Sequence, residues 1–307
     1  MPPDSVPPDV RRLLQERSTA RRERDFARAD ALREEIAGLG WEVQDSGTKS
    51  TARPILTPAP RPDAQSTVLD RPPTVDASVQ LAAEDHAADF ARAIGGLAAH
   101  PPAGSWELVV VDNAALFDVP AALAEADLPV EPIVVAAPAR LGWADARTLG
   151  LQRSSGGISI LLDTSLEPTG DFVTPLLRAF DDPSVGIAGG WGVTSRDARE
   201  FEEAPPGDVD AVEGYCLAIR RDALLAVGGF DRRYRYYRHA DLDLSFAVRD
   251  AGWRAVRTEP LPLVRHEHRG WESLAEPERG RLSKRNFYRF LERWRDRPDL
   301  LLHAEDR

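Results

Sequence analysis

The stretch Glu107-Leu-Val-Val-Val-Asp112 decides the fold, because it is a continuous apolar run that ends at a carboxylate. A helical pattern such as Asp85 to Leu97 separates it from other runs of this kind. Those runs are Ser78-Val-Gln-Leu-Ala82, Pro132-Ile-Val-Val-Ala136, Ile158-Ser-Ile-Leu-Leu162 and Val185-Gly-Ile-Ala188. Such runs are typical of parallel strands that helices cover on both faces. We therefore expect an α/β fold with an open, mostly parallel sheet flanked by helices.

The composition limits the classes of function. The 307 residues suffice for one large α/β domain plus a small appendage. The formal charge of −11 argues against a protein surface built for nucleic acid. The single cysteine, Cys216, excludes an internal disulfide and a thiolate metal cluster, and is consistent with a reducing compartment.

No part of the sequence contains the roughly 18 to 20 consecutive apolar residues that a membrane-spanning helix requires. The start, Met1-Pro-Pro-Asp4, also lacks the basic and then apolar profile of a signal peptide. We therefore expect the protein to be cytoplasmic.

The pattern of charge and proline predicts four segments. Residues 1–45 form an α-helical hairpin, because their apolar positions recur mostly at three- and four-residue steps and Asp25 can cap the second helix. Residues 46–76 are rich in proline and polar residues, which predicts a flexible linker. Residues 77–275 form the α/β domain, and residues 276–307 form a basic amphipathic helix and a tail.

A set of polar motifs follows the strands in a fixed order. It comprises Val109-Val-Val-Asp-Asn113, Leu161-Leu-Asp-Thr-Ser-Leu-Glu-Pro168, Gly228-Gly-Phe-Asp231, Asp241-Leu-Asp-Leu244 and Val264-Arg-His266. This order resembles the family 2 glycosyltransferases over about residues 77–297. The resemblance implies the nucleotide-sugar-binding fold called GT-A, and it implies transfer of a sugar.

The N-terminal segment has a separate resemblance. It contains Arg24-Asp-Phe-Ala-Arg-Ala-Asp-Ala-Leu-Arg-Glu-Glu-Ile36, followed by Gly40-Trp-Glu-Val-Gln-Asp45. These residues are similar to the C-terminal tail of cysteinyl-tRNA synthetases. The similarity is local and covers no catalytic part of that enzyme.

Asp112 and Asp163 each end a predicted strand, where open parallel sheets bind their ligands. The resemblance implies that Asp112 contacts the base of a nucleotide donor, and a turn formed by Asp112 and Asn113 is the alternative. It also implies that Asp163 holds Mg²⁺ or Mn²⁺ against the donor diphosphate. Ser165 stands where the family places its second acid, so the metal site is weakened.

Three basic residues are further candidates for the donor side. His266 matches the family histidine that often completes the metal site, and a purely structural histidine is the alternative. Arg265, beside it, could neutralise phosphate directly. Arg147 lies in a stretch that resembles the loop and helix under the donor site, and it either contacts the donor or lies on a solvated helix face.

The acceptor side is assigned to the segment around Asp241. By the resemblance, Asp241 is the general base that takes the proton from the acceptor hydroxyl, with inversion at the anomeric carbon. Asp243 and Tyr237 are placed on the acceptor side, although Asp243 could equally cap the following helix. Ala240 stands where the family has a glutamate.

The basic stretch Arg279 to Arg297 predicts an amphipathic helix with apolar residues that include Phe287, Tyr288 and Trp294. The helix either docks on its own domain or lies on an anionic membrane surface near a lipid-linked acceptor. The second alternative would place the protein on the inner face of a membrane.

The resulting hypothesis is an inverting glycosyltransferase that moves a sugar from a nucleoside diphosphate sugar to a hydroxyl acceptor, a glycan or a lipid-linked one, in the synthesis of cell envelope polysaccharide. The alternative is a catalytically silent sugar- or nucleotide-binding scaffold, because Ser165, Ala240 and Thr148 all depart from the family pattern. Binding of tRNA through the N-terminal hairpin is less favoured, because acidic residues largely offset its basic ones.

Overall fold

The computed structural model describes residues 6–46, 49–54, 67–268 and 274–304. The expected α/β class and the open, mostly parallel sheet are confirmed. The large sheet has eight strands in the described part of the chain, and helices flank it.

The bounds of the described elements follow the chain. The helices are α1 Pro8–Arg22, α2 Phe26–Gly38, α3 Ala87–Ala99, α4 Val119–Ala124, α5 Trp143–Leu151, α6 Val173–Ala179, α7 Arg221–Val227, α8 Ala240–Asp250 and α9 Glu276–Trp294, with a short 3-10 helix at Pro298–Leu300. The strands are β1 Trp41–Ser46, β2 Lys49–Pro54, β3 Val75–Ala83, β4 Trp106–Asp112, β5 Ile133–Ala136, β6 Gly156–Leu162, β7 Leu166–Pro168, β8 Val185–Gly189, β9 Gly192–Thr194, β10 Glu202–Glu203, β11 Gly207–Asp208, β12 Ala211–Val212, β13 Cys216–Arg220, β14 Arg254–Arg257 and β15 Leu263–Arg265.

The large sheet has the strand order β11-β14-β8-β13-β6-β3-β4-β5. β3 pairs in parallel with β4 and β6, β4 with β5, and β8 with β14. β13 is antiparallel to both of its neighbours, β6 and β8. The five predicted apolar runs therefore all lie in this sheet. Strands β3, β4 and β6 are buried over most of their length, as a parallel sheet between helix layers requires.

The predicted N-terminal helical hairpin is confirmed, and Asp25 is the N-cap of α2. The Asp25 carboxylate accepts a hydrogen bond from the Arg28 N–H at 3.0 Å, which satisfies one of the free donors at the start of α2. The two helices pack through Val10, Leu32 and Ile36 onto the β-hairpin formed by β1 and β2. This small unit therefore has an apolar cluster of its own.

The flexible linker predicted for residues 46–76 differs from the structure at both ends. Strand β2 pairs with β1, so residues 49–54 belong to the N-terminal unit. Near the other end, the Arg221 guanidinium donates to the carbonyls of Val68 and Arg71, which fixes this segment on the α/β domain. Residues 55–66 of the predicted linker lie outside the described residues. Proline content gave no indication of these long-range partners.

Helix α9 docks on its own domain, as the first of the two alternatives for this helix predicts. Phe290 and Trp294 are buried and pack with Phe246 of α8. Tyr288, which was predicted for the apolar face, is instead 57% exposed on the outer face. Within the described residues, none of the helices has the length and apolar character needed to cross a bilayer.

Candidate active site

A cleft of about 290 Å³ lies at the edge of the sheet where β6 ends. The antiparallel strand β13 begins at this edge, because Cys216 pairs with Leu162. Asp163 follows β6 and Tyr215 precedes β13, and the Asp163 N–H donates to the Tyr215 carbonyl at 2.9 Å. Both residues line the cleft, which is where open α/β sheets bind their ligands.

The N-terminus of α8 places Asp241 in the same cleft. Its Oδ2 accepts from the Gly214 N–H at 2.8 Å, and its Oδ1 accepts from the Leu242 N–H at 3.0 Å. Burial raises the pKa of Asp241 above its ordinary value, and these N–H groups oppose the shift. A fixed, half-buried carboxylate with a raised pKa has the properties of a general base.

Asp243 does not line the cleft, so its predicted place on the acceptor side is wrong. The side chain is only 2% exposed. Its Oδ1 accepts from Trp294 Nε1 at 2.8 Å, and its Oδ2 accepts from Arg293 Nη1 at 3.0 Å. Residues two positions apart on a helix face different directions, so Asp243 faces α9 while Asp241 lines the cleft.

Helix α9 also holds the segment that precedes Asp241. Asn286 is fully buried, and its side-chain amide donates to the carbonyls of Tyr236 and Arg238, each at 2.8 Å. His239 then turns the chain into α8 through a left-handed conformation with φ of 67°. Together with Asp243, Asn286 fixes the chain on both sides of Asp241.

Asp163 is held on one side by Ser165 and faces two basic groups on the other. Its Oδ1 accepts from the N–H of Ser165 at 2.9 Å and from its hydroxyl at 2.6 Å. Its Oδ2 lies 3.8 Å from Arg147 Nη2 and 3.8 Å from His268 Nε2. Ser165 thus orients the carboxylate toward these two groups.

The histidine that faces Asp163 is His268 and not His266, whose predicted contact with a metal ion remains a prediction. His266 Nε2 lies 2.7 Å from Glu167 Oε2, so that pair forms a separate contact beside the β7–β15 ladder. His268 stacks on Tyr237, with ring centroids 4.6 Å apart. The two histidines follow β15 outside the regular strand, so the alternation of a strand does not decide which one faces the cleft.

Arg147 is buried beside the cleft, so the solvated helix face proposed as its alternative is wrong. It is 7% exposed, and its guanidinium carbon lies 5.2 Å from the centroid of the Trp143 ring. Its Nη1 is buried without a hydrogen-bond partner in the described part of the chain. Gln80 Nε2 donates to the Arg147 carbonyl at 2.8 Å, which fixes α5 against β3. A buried donor without a partner is a candidate ligand contact.

The remaining predicted donor and acceptor residues lie at different distances from the cleft. Tyr237 lines it. Arg265 lies outside the lining, with its guanidinium carbon 5.1 Å from the centroid of the Tyr215 ring. Asp112 ends β4, and its Oδ1 accepts from the Ala115 N–H at 2.9 Å, as the alternative of a turn predicts. A contact between Asp112 and a donor base remains a prediction.

Glu213 lines the cleft and was not predicted from the sequence. It stands three residues before Cys216, where β13 begins. Burial and the nearby Asp241 carboxylate raise its pKa, whereas Arg265 and Arg238 oppose the shift. Its position just before a strand at the ligand-binding edge could have indicated a site residue, but Glu213 belongs to none of the motifs found in the sequence.

The fold implies a divalent cation, and the residues of the cleft show whether they could hold one. Within the described ranges, no group of three or more histidine, cysteine, aspartate or glutamate side chains is arranged to hold a metal ion. Asp163 and His268 supply two suitable side chains. Mg²⁺ sites commonly use one or two carboxylates and take their other ligands from substrate phosphates and water. These residues therefore fit a metal ion only together with a bound diphosphate.

Two segments of the chain match models of known protein families. Residues 84–259 match the model of glycosyl transferase family 2, and residues 4–53 match the model of the cysteinyl-tRNA ligase anticodon binding domain. The GalNAc-T7 structure with UDP, GalNAc and Mn²⁺ has a TM-score of 0.56 and 16% identity, over 73% of this chain and 49% of that one. This similarity shows a shared GT-A fold.

Two relatives from Mycobacterium tuberculosis are also similar. A pre-mycofactocin glycosyltransferase is 30% identical over 146 residues, which are 42% of this chain and 30% of the relative. An N-acetylglucosaminyl-diphospho-decaprenol L-rhamnosyltransferase is 31% identical over 149 residues, which are 41% of this chain and 47% of the relative. The matched region thus spans less than half of either relative. The family model covers more than half of this chain, and the chain belongs to glycosyl transferase family 2.

Proposed function

We propose that this glycosyltransferase moves a sugar from a nucleoside diphosphate sugar to a hydroxyl acceptor with inversion at the anomeric carbon. The observation that carries the proposal is the Asp241 carboxylate, which two backbone N–H groups hold in the cleft. Membership of the family and the GT-A fold support the class of reaction.

In the proposed step, Asp241 accepts the proton of the acceptor hydroxyl while the acceptor oxygen bonds to the anomeric carbon. The bond between that carbon and the diphosphate oxygen breaks, and the nucleoside diphosphate leaves with the electron pair. General-base assistance of this kind contributes about 10² to 10⁴ in rate. Attack from the face opposite the leaving group inverts the configuration.

Arg147 is the proposed cation for the donor diphosphate. Its buried Nη1 has no hydrogen-bond partner among the described residues, and its Nη2 lies near Asp163. Arginine binds phosphate through strong, charge-assisted hydrogen bonds. Arg265 adds positive charge from outside the cleft. A divalent ion held by Asp163 and His268 would supply further positive charge for the leaving diphosphate when bound.

The acceptor is proposed to be a glycan, and a lipid-linked one is supported by the printed name of the rhamnosyltransferase relative. The outer face of α9 offers Lys284 and the exposed Tyr288 for contact with anionic headgroups, together with Arg281, which is paired with Glu278. We also propose that the protein acts in the cytoplasm, at the inner face of a membrane. The process would be the synthesis of cell envelope polysaccharide.

The silent-scaffold alternative is favoured by Ser165 and Ala240 and disfavoured by the geometry around Asp241. A measurement of turnover distinguishes the enzyme from the silent scaffold. Wild-type protein is incubated with UDP-, GDP- and TDP-sugars, Mn²⁺ and methyl glycosides of common pyranoses, and free nucleoside diphosphate is measured. Transfer, with NMR showing the inverted anomer, is the expected result. Tight donor binding without any turnover would leave the scaffold as the function.

A further inference from the structure

We propose that Glu213 binds a second hydroxyl of the acceptor, so that the cleft selects an acceptor with two neighbouring hydroxyls. The inference rests on the proposed glycosyl transfer. It concerns a residue for which neither the motifs nor the family position of Asp241 gives a role.

Backbone contacts fix Glu213 relative to Asp241. The Glu213 N–H donates to the Trp191 carbonyl at 3.0 Å, and the next N–H, of Gly214, donates to Asp241 Oδ2 at 2.8 Å. One residue earlier, the Val212 N–H donates to Ser245 Oγ, whose hydroxyl donates to the Asp241 carbonyl. The segment that carries Glu213 is therefore bonded to the first two turns of α8 through the residues on either side of Glu213.

The Glu213 carboxylate itself is free to bind a ligand. It is half-buried and lines the cleft beside Asp241. In the described part of the chain, it makes no hydrogen bond or ion pair, although Arg265 and Arg238 lie near enough to lower its pKa against the effect of burial. The two Asp241 oxygens each already accept a backbone N–H, whereas both Glu213 oxygens have their capacity unused.

Position 240 cannot supply this second carboxylate. Ala240 is 1% exposed and belongs to an apolar cluster with Tyr234 and Leu244. Its side chain thus packs in the core and does not line the cleft. Glu213 lines the cleft from the strand side, and in this proposal it is the second acceptor-side carboxylate.

The chemistry of the lining defines the acceptor class. Asp241 takes the reacting hydroxyl, and Glu213 accepts a hydrogen bond from a neighbouring hydroxyl on the same molecule. Tyr237 and Trp143 add aromatic surface for the apolar face of a ring. A sugar with adjacent hydroxyls meets both requirements, whereas a molecule with one isolated hydroxyl satisfies only the base.

The test compares Glu213→Gln with the wild type, using the nucleotide sugar and the methyl glycoside that the wild type turns over. Loss of a hydrogen bond to a charged group corresponds to about a ten- to hundredfold effect on binding. We expect the acceptor KM to rise by at least about tenfold, with kcat within about threefold and the donor Kd within about twofold. Glu202→Gln is the matched control, because Glu202 is exposed on strand β10 and lies outside the cleft lining.

Monodeoxy analogues of the same methyl glycoside identify the contact. The analogue that lacks the hydroxyl bound by Glu213 should have a raised KM with the wild type. With this analogue, Glu213→Gln should raise the KM no further. An acceptor KM within twofold of wild type in Glu213→Gln, or equal losses for every analogue in both proteins, would overturn the inference. Glu213→Asp and thermal unfolding control for folding. A wild type without turnover for any sugar and acceptor would overturn the proposed function itself, so the two failures are distinguishable.

Discussion

The acceptor side of the cleft, around Asp241, and the donor side, around Asp163, are held by different means. Asp241 is fixed by backbone N–H groups, and the chain on both sides of it is bonded to α9 through Asn286 and Asp243. Asp163 accepts two hydrogen bonds from Ser165 and faces two basic side chains at 3.8 Å. The acceptor side is thus complete within the protein, whereas the donor side needs the diphosphate to complete it.

On the proposed function, this difference indicates how the reaction would proceed with Ser165 at the position of the second acid. The buried Arg147 places a positive charge 3.8 Å from the Asp163 carboxylate, and we propose that it takes over part of the role of a bound cation. Electrostatic stabilisation of a leaving group requires positive charge at the correct place, and a guanidinium can provide it. Substitutions on the two sides should therefore affect different kinetic quantities.

Asp241→Asn should give the largest effect. An amide cannot accept the acceptor proton, so kcat should fall by about 10² to 10⁴. The donor Kd should stay within about twofold, because the base acts on the acceptor. Steady-state kinetics and calorimetry measure the two quantities, with the exposed Asp222→Asn as the control. Equal losses in rate and donor binding would remove the distinction between the two sides.

Arg147→Met should affect the donor side. Loss of the charge-assisted contacts to the diphosphate should weaken donor binding by about ten- to hundredfold, with or without Mn²⁺. Calorimetric titration with the nucleoside diphosphate measures this change. Arg178→Met, at an exposed site on α6, is the matched control. Unchanged donor affinity in Arg147→Met would show that the buried guanidinium serves packing alone.

His268→Ala and His266→Ala should differ in their dependence on metal. His268 faces Asp163, whereas His266 pairs with Glu167. The gain in donor affinity that Mn²⁺ gives should fall about tenfold or more in His268→Ala and stay nearly unchanged in His266→Ala. Titrations of both variants with Mn²⁺ and the diphosphate check this. The reverse pattern would restore the assignment made from the sequence.

Asn286→Ala should have a smaller effect, on the acceptor side. The carbonyls of Tyr236 and Arg238 lose the buried amide that donates to them, which should cost about 1 to 3 kcal/mol of folding free energy. We expect kcat to fall several-fold while the donor Kd is unchanged, since the segment before Asp241 loosens. Denaturant unfolding and kinetics measure both, with Glu292→Ala, exposed on the same helix, as the control. A purely structural role would leave kcat per folded molecule unchanged.

The pH profile should give the smallest effect. Because burial raises the pKa of Asp241, the acid limb of kcat should have its midpoint above the ordinary aspartate value of about 3.9, with activity rising as the carboxylate ionises. Glu213→Gln removes a neighbouring negative charge and should move this midpoint down by a fraction of a unit. A midpoint that stays fixed in Glu213→Gln would show that the two carboxylates do not interact.

The sequence predicted the sheet well and the site only in part, for physical reasons. Apolar runs such as residues 107–112 are local, and burial in a parallel sheet follows from them directly. Asp241 was found by its motif. Asp243 was misplaced because its partner Trp294 is 51 residues away in the chain. His268 and Glu213 lie where the chain leaves or approaches a strand, so periodicity could not give their direction.

The most direct test of a working donor site is a calorimetric titration of the wild type with UDP, GDP and TDP, each with Mn²⁺ and with a chelator. We expect at least one nucleotide to bind with micromolar affinity in the presence of the chelator, because Arg147 can contact the diphosphate without a metal ion. Binding should be tighter with Mn²⁺, which Asp163 and His268 would help to hold. Mn²⁺ alone should bind weakly, because the described residues supply Asp163 and His268 but no group of three side chains arranged to hold a metal ion. Absence of nucleotide binding under every condition would contradict the account and favour a silent scaffold.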